Sequence, residues 1–445
     1  MKKSKTKQKY TVASLFSGCG GLDLGFDSAS FEIQYAVDND PLACDVYRRN
    51  LGEHIRCMDV TNDEFFNEIR QQGTCDVLLG GFPCQGFSKA GPKKKSDPRN
   101  QLYRSMLYAA EHMKPSVIVA ENVDGILQNF KGEFFRTICK DFEDLGYLCE
   151  PAVIDAAWYG VSQHRRRVFF VFTSAELPRF QFPEATHEKR LRNGEFAIPT
   201  NDLFSDATCS SARTKRPIST ISDAIEDLLI DGQNVPDHVY EDSWPAGYNE
   251  IFSAIGEGQK LCNVRHAETS VYTWQIPQYF GEVTDQEVLV LETLAKNRRK
   301  KIYGDIPNGN PIPADELERL SGVVGCETLL ERLADVGYVK RKSGGYDLKG
   351  AMFCSGLFKR PRWDEPSPTV LTNFNNPRYF LHPSEARPFT LRECARLQGF
   401  PDDFLFDSHQ RKDIAGLYRL VGNAVAPPVA RKIADGVYQF LNDYS

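Results

Sequence analysis

The sequence predicts an α/β protein built on a doubly wound, mainly parallel sheet, and three observations support this fold class. Short apolar segments alternate with amphipathic ones over the first 180 residues. The glycine turn 17–21 separates the first apolar segment from the first amphipathic one. Polar residues directly follow several apolar segments, and the carboxyl ends of parallel strands form the ligand-binding edge of such sheets. We therefore expect a ligand site at that edge.

The elements of this fold can be predicted in chain order. Runs of β-branched, aromatic and other apolar residues indicate strands, and apolar residues at helical spacing indicate helices between them. A third, short apolar segment precedes Asp59. The other strands are expected at 10–16, 31–37, 76–79, 115–120, 147–155 and 168–172. One helix is expected to follow the glycine turn and end at 26, and another to cover 63–71.

Composition and charge narrow the class of protein. The chain has 445 residues, 41% of them hydrophobic and 26% charged, as in soluble globular proteins. The apolar run after the Lys-rich start is too short for a signal peptide or a membrane span, so we expect a cytoplasmic protein. Twelve cysteines without a C-x-x-C pair indicate neither a metal site nor a disulfide framework. With a net charge of −6, a nucleic-acid binder must concentrate positive charge locally, as the sequence does at 93–95 and 165–167.

The segment Gly80–Ser88 is the strongest candidate for chemistry. Two glycines and Pro83 turn the chain directly after the buried strand 76–79, so Cys84 is expected at the ligand-binding edge. A cysteine there can act as a nucleophile once its thiol is ionised. The alternative is a small buried apolar residue, which most free cysteines are.

Acidic residues end two of the other strands. Asp38 follows Gly18 by 20 residues, the position from which a carboxylate can accept the hydroxyls of a ribose; the alternative is that it caps the helix before Pro41. Glu121 ends the strand 115–120, where desolvation raises a carboxyl pKa and suits it to act as an acid. The alternative for Glu121 is a hydrogen-bonded strand end.

These segments resemble the DNA (cytosine-5) methyltransferases of prokaryotic restriction-modification systems. The resemblance covers about the first 180 residues and the last sixty, in the order of the family's motifs. Asp38 is a departure, because the family more often has Glu there. The matching segments are Phe16-x-Gly18-x-Gly20-Gly21, Pro83-Cys84-Gln85, Glu121-Asn122-Val123, Gln163-x-Arg165-x-Arg167, 387–401 and Gly422-Asn423-Ala424-Val425.

The resemblance implies a Rossmann-like S-adenosylmethionine-dependent methyltransferase fold with a smaller target-recognition domain. It implies that Cys84, Glu121, Arg165 and Arg167 are catalytic. The implied DNA contacts are Gln85, Ser88, Gln163 and Arg165. The implied S-adenosylmethionine site comprises Phe16, Ser17, Gly18, Cys19, Gly20, Gly21, Asp38, Asn39, Asp59, Val60, Gly81, Pro83, Leu102, Asn423, Ala424 and Val425.

The same resemblance implies a reaction and a partner. Cys84 would add to C6 of a cytosine flipped out of double-stranded DNA, and C5 would then receive the methyl group. We expect a monomer that modifies a specific DNA sequence, as in restriction-modification systems, with no membrane partner. An RNA cytosine-5 methyltransferase of the same fold, or a DNA-binding protein without activity, are the alternatives. The sequence leaves open which DNA site is recognised and whether a cognate restriction endonuclease exists.

The middle of the chain departs from the alternating pattern. We expect the catalytic domain at 1–180, a target-recognition domain at 181–405 and a segment at 406–445 that completes the catalytic domain. Helix-like segments at 287–299, 314–320 and 328–336 precede a hairpin, which indicates a winged-helix-like insert at 283–350. Thr390 and Glu393 have capping-box spacing before a helix that Gly399 ends.

Overall fold

The computed structural model describes residues 9–28, 30–83, 102–128, 132–190, 196–197, 216–228, 235–240, 242–263, 267–307, 309–349 and 356–444. The chain divides into two compact units. One comprises residues 1–239, 364–373 and 390–445, and the other comprises residues 240–363 and 374–389. Within the described ranges, no helix combines the length and the apolar character needed to cross a bilayer.

A seven-stranded sheet forms the centre of the first unit. Its strand order is β3-β2-β1-β4-β5-β7-β6, in which β7 runs antiparallel to β5 and β6 while the other pairs are parallel. This confirms the predicted α/β class. The strands are β1 (Tyr10–Leu15), β2 (Phe31–Asp38), β3 (Ile55–Cys57), β4 (Val77–Gly80), β5 (Val117–Val123), β6 (Tyr147–Asp155) and β7 (Arg166–Ser174).

Helices cover both faces of this sheet, and short strands follow it. Tyr47 is the largest apolar side chain of α2 that is fully buried. The helices are α1 (Gly21–Phe26), α2 (Pro41–Leu51), α3 (Asp63–Gln71), α4 (Tyr103–Met113), α5 (Glu133–Asp144) and, after the sheet, α6 (Ile221–Ile225). The short strands are β8 (His187–Arg190), β9 (Phe196–Ala197) and β10 (Arg216–Pro217).

Two apolar layers hold the sheet between them. Alternate residues of β1 face opposite layers: Val12 packs in one and Ala13 in the other. The first layer includes Phe65 of α3 and Met106 of α4. The second includes Leu22 of α1. Because both faces are covered, the central strands are almost continuously apolar, and the polar residues at their carboxyl ends are the exceptions.

The second unit has its own apolar core, which includes Leu291, Leu317 and Leu330. Its insert contains the three predicted helices and the predicted antiparallel hairpin. The elements of this unit are α7 (Tyr248–Ala254), β11 (Lys260–Leu261), β12 (Ser270–Val271), α8 (Pro277–Phe280), α9 (Asp285–Asn297), α10 (Ala314–Ser321), α11 (Cys326–Val336), β13 (Val339–Lys342) and β14 (Gly345–Leu348).

The chain then returns to the first unit through α12 (Leu391–Gln398), α13 (Ile414–Asn423) and α14 (Pro427–Tyr444). The predicted capping box of α12 is present, and Gly399 ends that helix in a left-handed conformation. Val429, Ile433 and Val437 of α14 join the apolar layer that contains Leu22. The first unit is therefore built from both ends of the described chain.

Candidate active site

A cavity of about 470 Å³ lies at the carboxyl ends of β1, β2, β4 and β5. This is the edge at which open α/β sheets bind ligands, and its volume suits a small-molecule site. Among the residues around it are Phe16, Ser17, Gly18, Cys19, Gly21, Asp38, Asn39, Gly81, Pro83, Glu121, Arg165, Arg167, Asn423, Ala424 and Val425. The structure thus brings together most of the described residues that the sequence predicted.

The glycine turn after β1 forms one wall of the cavity. Phe16 and Gly18 both have positive φ, at 57° and 56°, a conformation that is uncommon for a residue with a side chain. A Cβ atom on Gly21 would lie 2.5 Å from the carbonyl oxygen of Val425. Only glycine therefore lets the turn pack this closely against the segment 423–425, which confirms the predicted proximity of the two.

Asp38 holds the glycine turn from the end of β2. Its Oδ2 accepts a hydrogen bond of 2.8 Å from the backbone N–H of Gly18, and its Oδ1 accepts one of 2.9 Å from Asp40. Burial raises the pKa of the Asp38 carboxyl. The alternative that Asp38 caps the next helix is wrong: the cap of α2 is Asp40, which accepts from the N–H of Leu42 at 3.1 Å.

The turn that leads to Cys84 is held by β5. Gly81, Phe82 and Pro83 follow β4, and the side-chain amide of the buried Asn122 donates a 3.0 Å hydrogen bond to the Phe82 carbonyl. Cys84, Gln85, Ser88 and the basic run 93–95 lie outside the described residues. The structure therefore locates the residues just before the predicted nucleophile.

Glu121 lies near the end of β5 with only 8% of its surface exposed. Burial raises the pKa of its carboxyl, and the neighbouring Arg167 and Arg165 partly oppose that effect. Arg167 Nε forms an ion pair with Glu121 Oε1 at 3.0 Å, and no well-aligned hydrogen bond reaches Oε1 from the described residues. A buried carboxyl oxygen left in this state at a cavity is available to a ligand.

Arg165 is nearly fully buried and links two other segments of the cavity wall. Its guanidinium donates to the carbonyls of Val370 at 3.2 Å and Gly422 at 2.9 Å. Its Nε has no partner in the described part of the chain. Burial, together with the charge of Arg167, lowers the pKa of the Arg165 guanidinium. Arg165 thus connects the segments around Val370 and Gly422, while Arg167 contacts the candidate acid, Glu121.

Gln163 is fully buried, and this changes the interpretation of its role. Its amide donates to the carbonyl of Leu397 at 2.9 Å and to Gln398, and its Oε1 accepts from Val370 N at 3.0 Å. The predicted direct contact with DNA is not open to this side chain, because its hydrogen-bonding groups face the protein interior. It holds α12 and the segment around Val370 instead.

Four predicted cofactor residues, Gly20, Asp59, Val60 and Leu102, are not part of the described cavity lining. A Cβ atom on Gly20 would meet Leu51 and Tyr47 instead. Asp59 is exposed and accepts hydrogen bonds from Thr61. Val60 is buried in the core, where its carbonyl accepts from Ser105. Leu102 precedes α4 and packs against the same core.

Sequence reasoning also missed part of the site. Asp23, the segment 370–372 and Arg419 all line the cavity. Asp23 is fully buried and accepts hydrogen bonds from Ser14 at 3.0 Å and Tyr47 at 2.9 Å. The signal that could have found it is an acidic residue on an otherwise apolar helix directly after a glycine turn. The Pro-rich stretch before Val370 gave no such signal.

Comparisons with known proteins show the family to which the chain belongs. The chain is 29% identical over 430 residues to the type II methyltransferase M.AgeI of Thalassovita gelatinovora, covering 95% of this chain and 98% of that one. It is 30% identical over 455 residues to the type II methyltransferase M.HgiBI of Herpetosiphon aurantiacus, covering 95% of each.

A solved E. coli structure of a candidate prophage-encoded DNA modification methyltransferase has the same fold, with a TM-score of 0.53, 23% identity and coverage of 98% of this chain and all of that one. The model of the C-5 cytosine-specific DNA methylase family matches residues 10–439. Since that match spans nearly the whole chain, and residues of several segments that resembled the family line the cavity at the sheet edge, this protein belongs to the C-5 cytosine-specific DNA methylases.

Proposed function

We propose that this protein methylates C5 of a cytosine within a specific sequence of double-stranded DNA, through a covalent bond between Cys84 and C6. The observation that carries the proposal is Glu121: a buried carboxyl with a raised pKa and one oxygen without a hydrogen bond. It lines the same cavity as Pro83, the residue before Cys84. An acid and a thiol at one cavity are what addition to a pyrimidine ring requires.

The residues around the glycine turn fit S-adenosylmethionine. Gly21 lies so close to Val425 that a Cβ would fill the gap, and the turn before it leaves Gly18 open to the cavity. Phe16 would pack against the adenine, and Asp38 retains acceptor capacity for a ribose diol beyond its two backbone bonds. Asn39 and Asn423–Val425 would complete the site. When bound, this cofactor supplies the methyl group.

The chain's own groups would carry the ring through the reaction. The Cys84 thiolate would form a bond to C6 while Glu121 gives its proton to N3, so that the electron pair of the C5–C6 double bond becomes available at C5. Arg167 would orient Glu121 from 3.0 Å. After C5 has taken the methyl group, a base would remove the C5 proton. The C5–C6 double bond would then re-form as the thiolate leaves C6, and the N3 proton would return to Glu121.

The target base would have to leave the helix to reach these groups. A stacked base is inaccessible to a thiol in a cavity, and extruding it costs a few kcal/mol. We propose that the second unit and its insert supply DNA contacts that offset this cost. Acting as a monomer, the protein would mark one DNA sequence and protect it from a cognate restriction endonuclease.

The proposal is tested by trapping the covalent intermediate. Methylated cytosines are first mapped at base resolution in DNA from cells that express the chain, which identifies the target sequence. Purified protein is then incubated with S-adenosylmethionine and a duplex that carries 5-fluorocytosine at the target position. We expect a denaturation-resistant complex with wild-type protein and none with Cys84→Ala, which should still bind the cofactor. A wild-type protein that methylates the duplex without forming the complex would contradict the covalent route, and methylation of tRNA in preference to the duplex would favour the RNA alternative.

A further inference from the structure

We infer that Gln398 is a positioning residue for the segment 422–425, which lines the proposed cofactor site. Two hydrogen-bonded side-chain amides, Gln163 and Gln398, form a relay that holds this segment against the glycine turn. The inference rests on the proposed use of that segment to bind S-adenosylmethionine. Both glutamines are fully buried.

The relay runs in one direction because each amide accepts on one side and donates on the other. Gln163 Oε1 accepts from Val370 N at 3.0 Å, and Gln163 Nε2 donates to Gln398 Oε1. Gln398 Nε2 then donates to the carbonyl of Ala424 at 2.5 Å. The donor at one end, Val370 N–H, and the acceptor at the other, the Ala424 carbonyl, fix which way both amides face. A backbone N–H in one segment of the cavity wall is thereby connected to a backbone carbonyl in another.

The relay also resolves a problem at the end of α13. The last carbonyls of a helix have no partner within that helix. Gly422 O accepts from Arg165, and Ala424 O accepts from Gln398. Gln163 and Arg165 also bond the N–H and the carbonyl of Val370. Three polar residues, Gln163, Arg165 and Gln398, thus place both segments.

This placement matters for the cofactor because the segment 422–425 and the glycine turn are in close contact. Gly21 meets Val425 at a distance that excludes a Cβ atom. On the other side of α13, a Cβ atom on Gly422 would lie 2.5 Å from the Leu371 carbonyl carbon. Loss of the Gln398 donor leaves the partly buried Ala424 carbonyl without this hydrogen bond, and a shift of the segment 422–425 to find a new partner changes its position against the glycine turn.

The test compares Gln398→Met with Thr390→Ala in the same helix. Methionine keeps the approximate length of glutamine without its polar atoms, whereas Thr390→Ala weakens the cap of α12 and leaves the relay intact. Binding of S-adenosylmethionine and of S-adenosylhomocysteine is measured by calorimetry on the protein without DNA, and urea unfolding is measured in parallel. We expect about tenfold or greater loss of affinity in Gln398→Met and wild-type affinity in Thr390→Ala.

A double variant separates the relay from a general packing defect. If the amides act as a unit, Gln163→Met combined with Gln398→Met loses no more affinity than Gln163→Met alone. Wild-type affinity in Gln398→Met, or losses that follow unfolding stability equally in Thr390→Ala, would overturn the inference. Failure of wild-type protein to bind S-adenosylmethionine would instead refute the proposed function.

Discussion

Glu121 and Asp237 are both buried carboxylates next to an arginine, and they differ in how completely they are bonded. Asp237 accepts from Arg392 at 3.2 Å and from the backbone N–H groups of Phe406 and Ser408 at 2.8 Å each. Glu121 lies 3.0 Å from Arg167, yet one of its oxygens has no hydrogen bond. Complete bonding fits a structural role, whereas the less complete bonding of Glu121, with the ion pair to Arg167 and no well-aligned hydrogen bond to Oε1 from the described residues, leaves it available for chemistry at the cavity.

The largest effect is expected for Glu121→Gln. Glutamine keeps the size of the side chain and cannot give a proton to the ring, so turnover should fall about 10²–10⁴-fold, measured as methyl transfer from labelled S-adenosylmethionine. Because burial raises the pKa of Glu121, its protonated form persists to higher pH than usual, and the wild-type rate should fall as pH rises through that pKa. The variant should lack this alkaline limb, and its cofactor affinity should be unchanged. A turnover rate of the variant within threefold of the wild-type rate would contradict the catalytic role of Glu121.

Arg392→Met tests the structural member of the comparison. Arg392 is fully buried and also donates to the carbonyls of Pro236, Pro401 and Phe404. Removing it leaves the Asp237 carboxylate buried without a cation, so the free energy of unfolding should fall by about 3–5 kcal/mol. Urea unfolding of purified protein measures this loss. A change below 1 kcal/mol would mean that Asp237 is held adequately by its backbone donors.

Asp23 extends the comparison to a buried carboxyl that accepts hydrogen bonds from the hydroxyls of Ser14 and Tyr47. Among the described residues, it forms no ion pair. Burial raises its pKa to about 7. The folded state therefore binds this proton more tightly than the unfolded state does, and the stability that it contributes declines as pH rises from about 4 towards 7, by on the order of 4 kcal/mol.

Asp23→Asn should remove this pH dependence. The variant should resemble wild type at pH 5 and be the more stable protein at pH 8, in unfolding curves measured at both. Parallel curves for the two proteins at all pH values would contradict the raised pKa.

The smallest effect is expected at Glu393, the fourth buried carboxylate of this comparison, whose Oε2 accepts from the Thr390 N–H at 2.8 Å within the capping box. Thr390→Ala removes the hydroxyl that accepts from the Glu393 N–H at 3.1 Å. The free energy of unfolding should fall by about 1 kcal/mol, measured by urea unfolding. A loss as large as that of Arg392→Met would place this cap among the main supports of the unit.

The location of site residues that directly follow a strand could be predicted, because the end of an apolar strand lies at the ligand-binding edge of the sheet. Asp38, Pro83 and Glu121 all reach the cavity as expected. The role of Gln163 could not be predicted, since its partners Val370 and Leu397 are more than 200 residues away in the chain. Such pairings depend on the assembled fold and leave no local pattern.

The path of the chain through the first unit has a consequence for assembly. Gly21 and Val425 meet at the cavity, although about 400 residues separate them. Closing so long a loop is slow relative to forming local contacts. A chain emerging from the ribosome therefore cannot complete this cavity until synthesis has passed Val425, so the cavity forms late in folding.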